Sequence, residues 1–273
     1  MSLRITISPI HSWCHAAAVL AVGLATISAT SASAQSDRYS VKRTAQAATS
    51  GVRSIRVENG SGKLVISGKA GATAVNASAV VRGTSQSEVN SVKLLTEREG
   101  DVLVVRVDEP EHGWRNGDGW SADLTVEVPN NVQLDVRDGS GGARIENVGP
   151  LSVVSGSGGV QIAGANGSVS LSSGSGGAQV HDVHGDVVMS TGSGGIILTG
   201  VTGAVDVRSA GSGGVTIRQV SGALHLGSIG SGSLTVDHIG GDLTVDRKGS
   251  GSVHYSDVKG RVSIPEREHG RRR

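Results

Sequence analysis

The chain has no phenylalanine, and three tryptophans and two tyrosines are its only aromatic residues in 273. Without rings to fill a broad interior, any core must be narrow and built from Val, Ile, Leu and Ala. There is one cysteine, Cys14. No disulfide can close within the chain, so packing and backbone hydrogen bonds must hold it together. Charge of one sign is lacking too: 25 basic and 24 acidic residues leave a formal charge of +1. That balance gives no support to nucleic acid or an anionic membrane as the main partner. Long apolar runs are equally scarce. The one candidate, Ala16 to Ile27, is shorter than the roughly 20 residues a bilayer span needs. With Arg4 ahead of it and Ala32-Ser33-Ala34 before Gln35, it reads as an export signal over 1–34. Cys14 precedes that run, which argues against a lipid-anchored cysteine. Cleavage would remove one basic residue and no acid, leaving 24 of each. No transmembrane segment is expected in the remainder.

What the chain has in abundance is glycine, 42 residues of it. The stretch "GSGGVQIAGANGSVSLSSGSGG" (156–177) could be flexible filler or one unit of a repeat. Gly-Ser-Gly recurs from Gly139, Gly156, Gly174, Gly192, Gly211, Gly230 and Gly249, a regular ruler that a linker has no reason to keep. Aligned on that tripeptide, apolar residues fall into columns. Ala143, Val160, Ala178, Ile196, Val215, Leu234 and Val253 form the first, and Ile145, Ile162, Val180, Leu198, Ile217, Val236 and Tyr255 the second. One apolar residue follows at a turn (Val148 to Val258), then a glycine in every unit (Gly149 to Gly260). A second alternating pair comes next, Leu151 to Val262 and Val153 to Ile264. Period-two alternation places each pair on one face of a short strand. The turn glycines are expected to take the positive φ that sharp corners need.

A unit of two short strands cannot bury its apolar face alone, but stacked on copies of itself it can. The fold class expected is therefore all-β, a parallel β-solenoid of about seven 17–19-residue coils over 139–264. Ser140, Ser157, Ser175, Ser193, Ser212, Ser231 and Ser250 are expected to form a hydroxyl ladder along one edge. Residues 35–51 read as a flexible N-terminal segment and 52–138 as a β-rich lead-in that caps the first coil. In the lead-in, "SIRVEN" and "KLVIS" flank Asn59-Gly60, a hairpin-like pair. Ser85 three residues before Glu88 predicts a short helix with Val89, Val92 and Leu95 on one face. Residues 265–273, "PEREHGRRR", read as a basic disordered tail.

The motifs "VENGSGKLVISG", "LTVEVPNNVQLDVRDGSGGARIENVGP" and "GDLTVDRKGSGSVHYSDVKGRVSIP" resemble the DUF4097 or "putative adhesin" family of exported bacterial β-strand repeat proteins. The resemblance covers nearly all of the chain after the signal. It implies a β-solenoid at the periplasm or cell surface, or secreted, and brings no catalytic residues.

Solenoids can also carry glycan-cleaving chemistry, which wants paired carboxylates on one outward face. The outward columns, Arg144, Gln161, Gln179, Ile197, Thr216, Thr235 and His254, then Ser152, Ser170, Val188, Asp206, His225, Thr244 and Ser263, contain no such cluster. His181, Asp182 and His184, with Asp237, His238 and Asp257 in later coils, have metal-ligand chemistry but read better as solvated turns. No metal and no cofactor are expected. Calcium rolls need Asp after their glycines, and a phosphate loop needs a helix; neither pattern is met. The candidate binding site is the loop "DEPEHGWRNGDGW": Trp114 and Trp120, with Arg115, Asp118 and His112, could stack on a sugar or anchor a partner. The alternative is indoles folded back on the rod. The reading is thus a non-enzymatic exported structural or binding module, adhesin-like, with an envelope glycan or another envelope protein as partner. The competing reading is a polysaccharide lyase or hydrolase on the same scaffold.

Overall fold

The computed structural model describes residues 39–108 and 120–265. The expected signal segment, Cys14, most of the tryptophan loop and the charged tail lie outside the described residues. The first elements are β1 (Tyr39–Ala48), β2 (Ser54–Asn59), β3 (Leu64–Lys69), β4 (Ala74–Gly83), α1 (Gln86–Ser91), β5 (Lys93–Glu99), β6 (Val102–Asp108), β7 (Ser121–Pro129) and β8 (Gln133–Asp138). The coils follow as β9 (Ala143–Glu146), β10 (Leu151–Ser155), β11 (Val160–Ala165), β12 (Val169–Ser173), β13 (Ala178–Val183), β14 (Val187–Thr191) and β15 (Ile196–Val201). They continue through β16 (Val205–Ala210), β17 (Val215–Val220), β18 (Leu224–Ile229), β19 (Leu234–Ile239), β20 (Leu243–Lys248), β21 (Val253–Val258) and β22 (Val262–Ser263).

These strands form two 11-stranded sheets, one ordered β1-β4-β7-β3-β9 and on through the odd strands to β21, the other β5-β6-β2-β8-β10 and on through the even strands to β22. From β8 and β9 onward every pairing is parallel and joins equivalent positions: Val160 lies beside Ala178 and Ile162 beside Val180, Val169 beside Val187 and Leu171 beside Met189. The parallel β-solenoid is therefore as expected, with like side chains stacked between the two sheets. The aliphatic columns are buried from Ala143 to Val245. In the last coil they are uncovered, because no coil stacks beyond it among the described residues: Tyr255 is 52% and Val262 37% exposed.

The lead-in belongs to the same two sheets. Asn59-Gly60 does not close a hairpin, since β2 and β3 lie in different sheets. Gly60-Ser61-Gly62 is instead another corner of the coil type. Gly139 N–H bonds the Asn59 carbonyl at 2.9 Å and Ser140 N–H the Gly60 carbonyl at 3.2 Å. The coil β2–β3 is stacked between β6–β7 on one side and β8–β9 on the other. Residues 35–51 are corrected as well: Tyr39–Ala48 is a ten-residue strand, antiparallel to β4 along its whole length. Its short alternating side chains Val41, Ala45 and Ala47 let it lie on the sheet edge. Helix α1 starts as expected, with Ser85 Oγ accepting from Glu88 N–H at 3.2 Å. It ends early, at Ser91; Val89 and Val92 are buried, while Leu95 belongs to β5. Glu88 Oε2 accepts from Thr84 N–H at 2.9 Å and Thr84 Oγ1 at 3.0 Å, closing the cap one residue earlier than a standard box.

Two expectations about the corners fail. In the turn-glycine column only Gly167 has a positive φ, 140°; the others are glycine because adjacent coils touch. A Cβ on Gly185 would lie 2.6 Å from the Gly167 carbonyl carbon, and one on Gly222 2.6 Å from the Gly203 oxygen. The left-handed conformation belongs to the residue before the turn column in all seven coils: Asn147, Gly164, Asp182, Gly200, Gln219, His238 and Asp257, with φ from 47° to 74°. These re-aim the chain so that the following apolar residue points inward, as a bulge does. The hydroxyl ladder is likewise elsewhere. Among the described residues no hydrogen bond joins Ser140 to its counterparts. Ser155, Ser173 and Thr191, buried inside the corner, donate to the carbonyls of Gly158, Gly176 and Gly194 at 3.1, 2.9 and 3.2 Å.

Candidate functional site

The residue before the first inward position of each odd strand builds a line along one corner of the rod. Read coil by coil from β7, it is Asp123, Lys63, Gly142, Gly159, Gly177, Gly195, Gly214, Ser233 and Ser252. Five bare positions are thus bracketed by side chains at both ends. At Gly159, Gly177 and Gly214 the coils do not require glycine, whereas Gly142 and Gly195 sit closer to the neighbouring backbone. A Cβ on Gly142, Gly159, Gly177, Gly195 or Gly214 would find its nearest atom at 3.1 to 3.7 Å, and only Gly142 has a positive φ. Lys63, Ser233 and Ser252 hold the same position in the same fold. The contrast is with Gly141, Gly158, Gly176 and Gly194, one residue earlier, where a Cβ would collide with the backbone of the neighbouring coil.

The bare line is the floor of an open groove of about 800 Å³. Its wall is the outward column of the odd strands, in which Arg144, Gln161, Gln179, Ile197 and Thr216 are direct neighbours across the parallel ladder. Lys63 and Arg144 are its only charged lining residues, and both have a carboxylate close by: Glu146 pairs with Arg144, and Asp123 accepts from the Lys63 N–H. Arg144 Nε donates to Glu146 Oε1 at 2.6 Å on the same face of β9. From Lys63 to Gly214 the groove crosses six coils, a run of about 24 Å at the usual strand spacing. The outward columns alone did not reveal it. Its signal in the sequence was the fourth letter of each corner, "GSGG" in five coils against "GSGK" and "GSGS" at the ends.

Of the residues expected to bind, Trp120 is described. It is half-buried against the apolar core, and its carbonyl accepts from Ser61 Oγ at 3.3 Å. That anchors it beside the Lys63 corner in a packing role. His112, Trp114, Arg115 and Asp118 lie outside the described residues. The turn residues His181, Asp182 and His184 are not brought into a metal-ligating group, and no such group of three occurs among the described residues. In later coils His238 meets Asp237 at 2.7 Å and Asp257 at 3.4 Å, and His225 meets Asp206 Oδ1 through Nδ1 at 2.9 Å and Asp246 Oδ2 through Nε2 at 3.0 Å. The hydrogen bond to Asp206, then that to Asp246, raises the imidazole pKa above its ordinary value. The result is a clip across β16, β18 and β20 that is tightest when the imidazole is protonated.

Fold and groove define the class: a parallel β-solenoid with an open furrow along one corner. No family model matches the chain, and no curated protein matches it, so the DUF4097 resemblance rests on its motifs. Solved structures similar to it include one named "putative adhesin" from Bacteroides fragilis NCTC 9343, 15% identical, TM-score 0.43, covering 79% of this chain and 97% of that one. Another, named "putative lipid binding protein", from Parabacteroides distasonis ATCC 8503, is 16% identical with TM-score 0.44 over 79% and 96%. A "putative cell adhesion protein" from Clostridium sporogenes ATCC 15579 is 8% identical with TM-score 0.36 over 83% and 99%. Likenesses this distant say nothing of what this chain binds. No helix among the described residues is long and apolar enough to cross a membrane.

Proposed function

We propose that the chain is an exported, non-enzymatic binding module of adhesin type, acting at the bacterial periplasm or cell surface with the corner groove as its binding surface. The observation that carries this reading is the row of five glycines, three of them with ordinary room for a Cβ, at a position where Lys63, Ser233 and Ser252 bear side chains. A glycine with room for a Cβ, in a line whose ends hold Lys and Ser, leaves backbone open to close approach by another molecule. The groove lining also offers no pair of facing carboxylates for glycosidic cleavage, Glu146 being tied to Arg144. Export rests on the N-terminal pattern of Arg4, the Ala16–Ile27 run and Ala32-Ser33-Ala34. In the same reading, His112, Trp114, Arg115 and Asp118 are a second contact, because the segment that carries them ends at Trp120, against the Ser61 corner next to Lys63.

The test is incubation of the purified protein with a panel of polysaccharides, following both retention and chain length, beside capture of partners from native envelope. Retention without shortening is the expected result. Shortening of any polysaccharide would overturn the non-enzymatic reading in favour of a lyase or hydrolase. Export is checked by fractionating cells that express the full gene, with the protein expected outside the cytoplasm.

A further inference from the structure

We infer that the uncovered end of the rod is an interface for a second copy of this chain: β21 pairs antiparallel with β21 of that copy about a two-fold axis at Tyr255, joining two rods tail to tail. Nothing in this contact depends on the groove.

In the coils from Ala143 to Leu234 the first inward residue of each odd strand donates its N–H to a carbonyl of the next coil, Val215 to Ser233 at 2.9 Å and Leu234 to Ser252 at 2.8 Å. The turn-column residue accepts from the next coil in the same way, Val220 from Gly240 N–H at 2.8 Å and Ile239 from Lys259 N–H at 2.9 Å. Val253 N–H and the Val258 carbonyl stand next in the two series, and no coil among the described residues meets them. Edge groups of this kind are completed by another strand. β21 is itself a strand that fits. Val236 lies beside Tyr255 in the ladder, so Tyr255 shares the outward backbone direction of Val253, two residues away. Set opposite its own copy in an antiparallel pair, Tyr255 exchanges both backbone bonds with Tyr255 of the second copy. Val253 then lies opposite Asp257 and Val258 of that copy. Asp257, with φ 47°, is the extra residue of a bulge, which brings the Val258 carbonyl to the Val253 N–H. The unused donor and the unused acceptor satisfy each other once on each side of the axis.

Three features select a second copy as the occupant. The end is apolar: Tyr255 is 52% and Val262 37% exposed, with Val253, Val258 and Ile264 only partly buried. A like end covers it, whereas residues 266–273 carry no apolar side chain to do so. The opposite end is closed. Val89 and Val92 are buried there, and Arg43 of β1 donates to the carbonyls of Asn90 and Val92 at 3.2 and 3.4 Å. Rods therefore cannot stack head to tail, and the contact between like ends is two-fold and self-limiting. The border strands also differ in charge. β1 and β5 carry Lys42, Arg43, Lys93, Glu97, Arg98 and Glu99, the kind of residue that keeps sheet edges apart, while β21, VHYSDV, has no Lys, Arg, Glu or Pro. Lys248, Lys259 and Arg261 flank the open end. They repel their counterparts, so the contact tightens as salt screens them.

The experiment is analytical sedimentation of the purified full chain from about 1 to about 300 µM, the range suited to a small contact, at low and high salt. A reversible monomer–dimer equilibrium is expected, stronger at high salt and with no larger species. Tyr255→Lys changes a half-exposed residue, so it should keep the circular dichroism and the thermal midpoint of the dilute chain. It should raise the dimerisation midpoint at least about tenfold, because like charges then meet at the axis. Register is read by oxidation in a Cys14→Ser background. Tyr255→Cys should form a disulfide between copies, since a hydrogen-bonded antiparallel pair holds its Cα atoms about 5.5 Å apart, within disulfide reach. Tyr39→Cys, similarly exposed at the other end, should not. A dimer that ignores Tyr255→Lys, dissociation by salt, growth into filaments, or equal cross-linking at 39 and 255 would overturn the tail-to-tail pair. So would a chain that stays monomeric to about 300 µM; if that monomer captures a strand from native envelope, the end belongs to a foreign partner instead.

Discussion

Asp138 and Asn59 face each other inside a coil corner, Asn59 Nδ2 donating to Asp138 Oδ1 at 3.4 Å, with Asp138 Oδ2 and Asn59 Oδ1 both buried and without partners. In the next three coils the same place holds Ser155, Ser173 and Thr191. Burial raises the Asp138 carboxyl pKa, against the hydrogen bonds from Asn59 and the Gly142 backbone. A carboxyl raised on folding favours the fold when protonated. That contribution is complete below the ordinary carboxylate pKa and is lost as pH rises through the raised one. Asp138→Asn puts an N–H donor where the orphan oxygen stands, and should stabilise the chain by about 1–2 kcal/mol at pH 7, with the gain shrinking in acid. Urea unfolding at pH 7 and pH 4 measures this, and a less stable variant at pH 7 would refute it. His225 works the same way with a base: its raised pKa adds stability that is full below the ordinary imidazole value and fades as pH climbs through the raised one. His225→Gln should flatten the dependence of the urea midpoint between pH 6 and pH 9. A profile unchanged by the substitution would show that the clip does not contribute.

At the scale of the element, the coil was legible because its inward residues repeat in type as well as position. Val, Ile, Leu and Ala fill the aliphatic columns, and buried neighbours such as Ile162 and Val180 confirm the alignment. The corners were harder to read, because glycine serves two unlike purposes in adjacent letters. Gly176 is glycine because the carbonyl of Gly158 touches it, whereas Gly177 has space around it. The two should separate on mutation. Gly176→Ala is expected to cost about 1–3 kcal/mol by overpacking, while Gly177→Ser should stay within about 0.5 kcal/mol of the native chain. Equal costs in chemical denaturation would remove the argument that the groove floor is free of packing duty. The left-handed position was visible only in part. Asn147, Asp182, His238 and Asp257 are residues that tolerate that region, but Gln219 is not, and polarity alone suggested a metal or a wet turn instead.

For the molecule as a whole, the two ends of the rod are unlike. The β1–β4 pair, α1 and β5 close the first coils with antiparallel strands and a buried Val89. The last coil leaves Tyr255 and Val262 half in water. In a repeat array, where each unit contacts only its neighbours, a terminal coil that buries so little should contribute little. Truncation after Lys248 should therefore keep the β-type circular dichroism and lower the thermal midpoint only slightly. Loss of the whole spectrum would mean that the last coil nucleates the array. The join between lead-in and rod escaped the sequence reading because the ruler breaks there. Gly60 and Gly139 touch in space but lie 79 residues apart, with six strands and a helix between them.

That interruption sets an order of assembly. During synthesis or passage through a membrane pore, β2 and β3 appear early, yet both of their flanking partners come later: β6 and β7 on one side, β8 and β9 on the other. Until then the pair has two raw borders and nothing to lean on. The long array cannot zip up from its first corner as it emerges. It must wait for a returning segment to slot in, and the growing chain carries exposed strand edges through that interval.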